Sequence, residues 1–355
     1  MSLGGVSSAS AKSRRKGRLT LESLRDATVV ITGTSSGIGL ATARAFARRR
    51  ANVVLGARRH ALLQQAARDC EALGGRSLAV TTDVTDPAQV RELARAAASA
   101  FGGIDVWINN AGTSMWGPFE AIPLESQARL IEINLLGAIN GSHAALPHFF
   151  DQGGRGVIIN VVSIFGRVPM PWAASYSASK FGLAGFTEAL RSELAAHSRI
   201  KVCGVYPAYA DTPTYLNSAN YTGRALRPVP PVVAPERVAE RIAGLALRPR
   251  RAVHLGALHA SVVPCALAPD STGRLVGRLG RHFLLRSGPQ AAASDGGLFE
   301  TVPAGAEVRG GWGIPERARA KRVAAVAAIV GLAEASAAFL SRTRRAGSVA
   351  RAPRG

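Results

Sequence analysis

A phenol and an ammonium four residues apart, in Tyr176-Ser177-Ala178-Ser179-Lys180, are the residues of this chain best suited to chemistry. At that spacing both side chains leave the same face of a helix. A free tyrosine titrates near ~10, so at neutral pH it is a usable proton donor but a poor base unless a cation steadies its phenolate. Lys180 is such a cation, one of five lysines in a chain whose 44 Lys and Arg residues are mostly arginine. Ser163, thirteen residues earlier, can hold a substrate oxygen beside the phenol, although a serine there could equally serve as a turn or cap residue. Asn134, in Asn134-Leu135-Leu136-Gly137, is a polar residue within an apolar helical stretch, where its plainest role is to satisfy a nearby backbone group.

The elements that must position these residues alternate from Ala27 onward. Short β-branched runs fall at Thr28 to Thr32, Asn52 to Gly56, Ser77 to Thr81, Asp105 to Asn109, Val157 to Ser163 and Lys201 to Tyr206. Between them lie segments with apolar residues at three- and four-residue spacing: Ile38 to Arg49, Ala61 to Leu73, Ala88 to Phe101, Ser126 to Phe149 and Ala174 to His197. A further helix from Pro235 to Leu247 and a strand at Ala252 to Gly256 complete the series. Strands that are apolar throughout suit a sheet covered on both faces, so the expected fold is α/β: a doubly wound, parallel, seven-stranded sheet of the Rossmann type.

The first strand runs into Thr32-Gly33-Thr34-Ser35-Ser36-Gly37-Ile38-Gly39 and then a helix. Glycines in such a loop allow the tight turn, the approach of backbone to a pyrophosphate, and close packing of helix on strand. The second strand ends Gly56-Ala57-Arg58-Arg59 with no acid to hold a ribose 2′-hydroxyl. Arginines there suit a 2′-phosphate, so the expected cofactor is NADP(H), with Arg58 and Arg59 as its contacts. Asp83 and Val84, after the third strand, are placed for the adenine, and Asn109-Asn110-Ala111-Gly112 offers small residues where a cofactor would cross the sheet edge.

In combination these motifs resemble the single-domain branch of the short-chain dehydrogenase/reductase superfamily. The match is Thr-Gly-x-x-x-Gly-x-Gly at Thr32 to Gly39, Asn-Asn-Ala-Gly at Asn109 to Gly112, Asn134, Ser163 and Tyr-x-x-x-Lys at Tyr176 to Lys180. The resemblance implies an oxidoreductase that interconverts a ketone or aldehyde and an alcohol by hydride transfer. Tyr176 would be the acid/base, Lys180 would lower its pKa and hold the nicotinamide ribose, Ser163 would orient the substrate oxygen, and Asn134 would anchor a water-linked proton relay. The resemblance also implies a homodimer or homotetramer built on the helices around Ser126 to Phe149 and Ala174 to His197. One departure stands out: where the family commonly has Pro-Gly followed by Thr, this chain has Pro207-Ala208-Tyr209-Ala210-Asp211-Thr212. Pro207 and Thr212 can still meet the nicotinamide, but Ala208 would be unfavourable at positive φ.

Bulky residues at Met115, Trp116, Phe165, Met170 and Trp172, with the Tyr209 to Arg227 segment, are expected to line the substrate side and favour a hydrophobic carbonyl compound. The formal charge of +21 is concentrated toward the ends, with six basic against two acidic residues over 1–26 and fourteen against six over 256–355. No nucleic-acid motif accompanies that charge, so no nucleic-acid partner is expected. Cys70, Cys203 and Cys265 have no metal-like or redox-like spacing, no metal site is expected, and a cytoplasmic setting is the simplest reading. The expected organisation is a basic N-terminal tail (1–26), a catalytic domain (27–256) and a basic C-terminal extension (257–355). Within the extension, Ser287 to Gly313 reads as an ordered loop or linker, and the Ala-rich stretch 321–342 is the candidate for peripheral membrane contact. The alternative reading is a non-catalytic nucleotide-binding regulatory or membrane-surface protein on the same fold.

Overall fold

The computed structural model describes residues 23–280 and 288–313. The 321–342 stretch and residues 1–22 of the tail lie outside them. In chain order the elements are β1 (Thr28–Thr32), α1 (Gly37–Ala47), β2 (Asn52–Ala57), α2 (His60–Ala72), β3 (Arg76–Thr81), α3 (Pro87–Phe101), β4 (Val106–Asn109) and β5 (Met115–Trp116). Next come α4 (Leu124–Ile131), a π-helical turn (Glu132–Leu136), α5 (Gly137–Asp151), β6 (Gly156–Val161), α6 (Ala174–Glu193) and β7 (Ile200–Pro207). Then follow α7 (Thr214–Asn217), β8 (Ala219–Asn220), α8 (Pro235–Leu247), β9 (Ala252–Leu255), α9 (Val262–Leu267) and α10 (Pro269–Gly280).

Seven strands form one parallel sheet in the order β3-β2-β1-β4-β6-β7-β9, while β5 and β8 make a separate short pair. The expected doubly wound sheet is thus the observed one. β1, β2, β4 and β6 are buried along their whole length, which is why their sequences are runs of Val, Ile and Leu without alternation. Each fully buried branched side chain among them, such as Val29, Ile31 or Val53, contributes roughly 1.5–3 kcal/mol relative to exposure. Local signals set the helix ends. Asp86 accepts from the N–H groups of Ala88 and Gln89 at the start of α3, Pro87 occupies its first turn, and Gly102 ends it in the left-handed region at φ 76.

The winding reverses between β1 and β4, and the loops following both strands open a crevice at the C-terminal edge of the sheet. The single helix read from Ser126 to Phe149 is instead interrupted by the π turn, within which Asn134 is fully buried; Asn134 itself does not line the cleft, whereas its neighbour Ile133 does. Ala208 is not among the described residues with positive φ, and its N–H donates to Leu255 O (2.8 Å). The turn after β7 therefore needs no glycine. Among the described residues no helix is long and apolar enough to cross a membrane.

Candidate active site

The glycine loop is held by contacts that leave no room for side chains. A Cβ on Gly39 would lie 2.1 Å from Gly33 O and 2.5 Å from Asn110 Nδ2, and one on Gly33 would lie 2.7 Å from the Ala111 Cα. Gly33 (φ +72) and Gly37 (φ +56) also take backbone angles that favour glycine. Asn110 fastens this loop to the end of β4, its Nδ2 donating to Thr32 O (2.9 Å) and Gly33 O (3.1 Å). Thr212 stands over the loop, its Cβ 3.4 Å from a Cβ built on Gly37. Gly33, Ser35, Ser36, Gly37, Ile38, Gly39, Arg58, Arg59, Asp83, Val84, Asn110, Ala111, Gly112, Pro207 and Thr212 all line one cleft, which also contains Ser163, Tyr176 and Lys180.

At the end of β2 the two arginines are engaged by the extension. The Arg58 guanidinium donates to the carbonyls of Gly297, Leu298 and Phe299. Arg59 donates to the Ser35 and Ser36 hydroxyls and to the carbonyls of Val302, Ala304 and Gly305. Burial lowers the pKa of both groups; Asp83 works against that shift for Arg58, and the Arg58 charge adds to it for Arg59. Asp83 itself pairs with Arg129 (2.9 Å) and accepts from the Thr85 N–H and hydroxyl. Burial alone would raise its pKa, but the Thr85 hydrogen bonds and the charges of Arg129 and Arg58 outweigh it and hold the carboxyl low. Arg129 had no signal in the sequence beyond its place on an amphipathic helix.

At the other end of the cleft, Lys180 is buried with its Nζ 3.3 Å from Val161 O and 5.9 Å from the Tyr176 ring centroid. Burial pushes the Tyr176 phenol up to about 12, partly offset by its hydrogen bond with Ser163, and pushes the Lys180 ammonium down to about 8. The family resemblance implies a phenol lowered by Lys180; in the structure the largest influence on Tyr176 is burial, which raises it. Asn134, fully buried, accepts from Thr113 N–H (2.9 Å) and donates to Thr113 O and the Ser179 hydroxyl (both 3.0 Å). The Ser179 hydroxyl in turn donates to Tyr176 O (2.8 Å), so Asn134 and Ser179 together tie the tyrosine helix to the loop after β4. Ser179 was missed because it sits at the variable x of Tyr-x-x-x-Lys. A Cβ on Gly112 would lie 3.0 Å from Asn134 Oδ1 and 3.4 Å from Lys180 Nζ, so both polar atoms face one small space.

Ser163 adopts φ 150 and ψ 162, a region that costs non-glycine residues about 1–3 kcal/mol. Its hydroxyl accepts from Phe165 N–H (3.2 Å). Ser163→Gly and Ser163→Ala both remove that hydroxyl, but only glycine relieves the backbone. Urea denaturation is expected to find the glycine variant more stable than the alanine variant by about 1 kcal/mol; equal midpoints would mean that the strain is not present.

Aromatic rings surround the phenol: Trp116 and Phe165 lie with centroids 6.4 and 6.0 Å from Tyr176, and Tyr209 lies 5.5 Å from Phe165. Trp116, Phe165, Tyr209 and Tyr215 line the main cleft, whereas Met115 and Trp172 line a smaller neighbouring cavity. Met170 is buried in the packing behind them. Leu258, Val262 and Cys265, from the segment leading through α9, pack against the same aromatic cluster. A dinucleotide fits this cleft on structural grounds: it has a glycine cradle that a Cβ would fill, and two guanidiniums at the end of β2.

Comparison with known proteins matches the family model described as short chain dehydrogenase to residues 27–220. The chain is similar to an uncharacterized oxidoreductase, YxnA, of Bacillus subtilis, 32% identical over 80% of this chain and 81% of that one. It is similar to a 3beta-hydroxysteroid dehydrogenase 1 of Eggerthella lenta (36% identity; 63% and 88% of the two chains). It is also similar to a cis-4-hydroxycyclohexanecarboxylate dehydrogenase of Sinomonas cyclohexanicum (41%; 63% and 91%). Among solved structures, a metagenomic short-chain oxidoreductase in complex with NADP superposes with a TM-score of 0.56 at 29% identity, covering 65% of this chain and 97% of that one.

Proposed function

The chain belongs to the short-chain dehydrogenase family and is an oxidoreductase acting between CH–OH and C=O groups; from that premise we propose that it is an NADP(H)-dependent reductase of a hydrophobic, ring-borne ketone. The observation that carries this reading is the single cleft joining the glycine loop and Arg58 to Ser163, Tyr176 and Lys180 under an aromatic wall. Bound at the loop, the nicotinamide would supply or accept the hydride at the carbonyl carbon. Ser163 and Tyr176 hold the substrate oxygen, and the phenol gives up its proton as the alkoxide forms. Lys180 stabilises the resulting phenolate and holds the nicotinamide ribose, while Asn134 keeps the space above Gly112 open to a water through which the proton is replaced.

Two relatives act, by their names, on hydroxyl groups of a steroid and of a cyclohexane ring. The ring cluster of Trp116, Phe165, Tyr209 and Tyr215 suits the flat apolar faces of such molecules. NADP(H) is favoured over NAD(H) by the absence of an acid at the end of β2 and by the Arg58 guanidinium there. Exposed Leu136, at the end of the π turn, Phe150 on α5 and Phe181 on α6 support a homo-oligomer assembled through those helices. Oxidation of NADPH in the presence of cyclic ketones, with slower oxidation of NADH, tests the assignment; no turnover on such a panel would overturn it.

The pH profile has a defined sign. Ketone reduction needs Tyr176 protonated, which holds below about 12, and Lys180 charged, which holds below about 8. The kcat/KM for reduction is therefore expected to be level below pH 8 and to fall about tenfold per unit above it. Lys180→Arg, which stays charged throughout, should remove that break even if its plateau is lower. A wild-type profile level to pH 10 would exclude the lysine as the controlling group.

A further inference from the structure

Residues 288–313 lack regular secondary structure, yet they run around the opening of the cofactor cleft and are fastened at each stage. The segment begins with Pro289 O accepting from Ala225 N–H (2.9 Å) and a two-way backbone bridge between Ser294 and Asn220. Asp295 then accepts from the hydroxyls of Ser126 and Tyr221, and Leu298 is fully buried against the cluster containing Met115, Ile133 and Ala219. Past the two arginines, Glu307 O accepts from the Gly37 N–H of the glycine loop (2.9 Å). The far end is fixed by Arg309 to Glu236 (2.9 Å), and by Trp312 through its N–H to Asp211 Oδ1 (2.7 Å) and its Nε1 to Thr212 O (3.0 Å).

The two arginines differ in what this leaves them. Arg59 spends Nε on Ser35 Oγ (3.1 Å), Nη1 on Val302 O (3.3 Å) and Ala304 O (3.1 Å), and Nη2 on the hydroxyls of Ser35 (3.0 Å) and Ser36 (3.1 Å) and on Gly305 O (3.3 Å). A guanidinium has five N–H donors, so Arg59 is saturated. Arg58 uses Nη1 and Nη2 on the carbonyls of Gly297, Leu298 and Phe299, and among the described residues its Nε makes no hydrogen bond. We propose that residues 288–313 form a strap that completes the cofactor site. Arg59 is its tie to the glycine loop, and Arg58 is left to read the nucleotide 2′-phosphate. This rests on NADP(H) being the cofactor. With the strap in place, nucleotide enters and leaves only as far as the strap yields, and the carbonyls that anchor Arg58 fix the direction of its remaining donors. Arg59 is then a positioning residue: it acts on the nucleotide through the loop and the strap.

Three variants separate these roles: Arg59→Ala, Trp312→Ala at the far anchor, and Arg58→Ala. Each is examined by titration calorimetry and by stopped-flow displacement of bound NADPH and of bound NADH. Limited proteolysis across 288–313 provides a readout independent of the nucleotide. Arg59→Ala and Trp312→Ala are expected to release both nucleotides about tenfold faster and to expose the strap to protease, whereas Arg58→Ala, which also removes three bonds to the strap, should weaken NADPH about tenfold more than it weakens NADH. Release unchanged in both strap variants, or NADPH bound more tightly by either, would overturn the strap as part of the site; the second result would mean that it competes with the phosphate. Should Arg58→Ala weaken NADPH no more than NADH, the 2′-phosphate assignment falls, and the strap is still decided by the release of NADH from the Arg59→Ala and Trp312→Ala variants. Trp312→Phe, which keeps an aromatic side chain against Tyr215 but loses the Nε1 bond, should lie between wild type and Trp312→Ala in release rate; release as slow as wild type in a variant whose strap is as exposed to protease as that of Trp312→Ala would likewise overturn the closure.

Discussion

Tyr176→Phe is expected to lower kcat for ketone reduction about a thousandfold, or about 4 kcal/mol of transition-state stabilisation, with little change in the affinity for NADPH. The substitution removes one oxygen and leaves a ring of the same shape against Trp116 and Phe165, so packing gives no competing explanation for the loss. It acts on a phenol that burial has raised to about 12, a group held protonated across the physiological range and therefore available as an acid. Single-turnover reduction with saturating NADPH, beside calorimetric titration of NADPH, separates the lost proton transfer from lost binding. Turnover within tenfold of wild type would remove Tyr176 from the proton-donor role.

Gly39→Ala is expected to destabilise the fold by about 3 kcal/mol and to weaken nucleotide binding by about a hundredfold, a loss near 2.7 kcal/mol. The added Cβ would sit 2.1 Å from Gly33 O and 2.5 Å from Asn110 Nδ2. Neither neighbour can withdraw cheaply. Gly33 N–H is bonded to Gly56 O at 2.7 Å, and the Asn110 amide holds Thr32 O and Gly33 O together. Relief therefore moves the loop on which the phosphates would rest. Gly185 on α6 provides the comparison, because a Cβ there meets nothing within 4 Å. Gly185→Ala should be neutral or stabilising by up to about 1 kcal/mol, through helix propensity. Chemical denaturation and calorimetry on the two variants measure the difference, and equal behaviour would mean that the loop is softer than its contacts indicate.

The sheet was legible because its information is local. The strands Thr28–Thr32 and Ser77–Thr81 and the helix Pro235–Leu247 can each be read from a run of apolar residues or a periodicity within a dozen positions, and the observed elements fall within a residue or two. Tyr176, Lys180 and the glycine loop were legible for a related reason: a spacing of four on a helix, or glycines between a strand and a helix, leaves a mark in the order of residues itself. The interruption at Asn134 left no such mark. A helix gains its π turn from what it must pack against, and here Asn134 reaches across to Thr113 and Ser179, 21 and 45 residues away.

The candidate residues at Tyr176, Lys180 and the glycine loop were thus marked by the sequence alone, and the structure brings them to one cleft. The tertiary structure decided the state of those groups. Burial sets the phenol up and the ammonium down, and burial is a sum over side chains drawn from every part of the chain. It also decided the setting of the two arginines. Arg58 and Arg59 read as two equivalent cations in the sequence, whereas carbonyls some 240 residues further on engage them differently. Backbone carbonyls are the same in every residue, so no side-chain pattern in 288–313 could announce that contact; only the folded path of the chain brings it about.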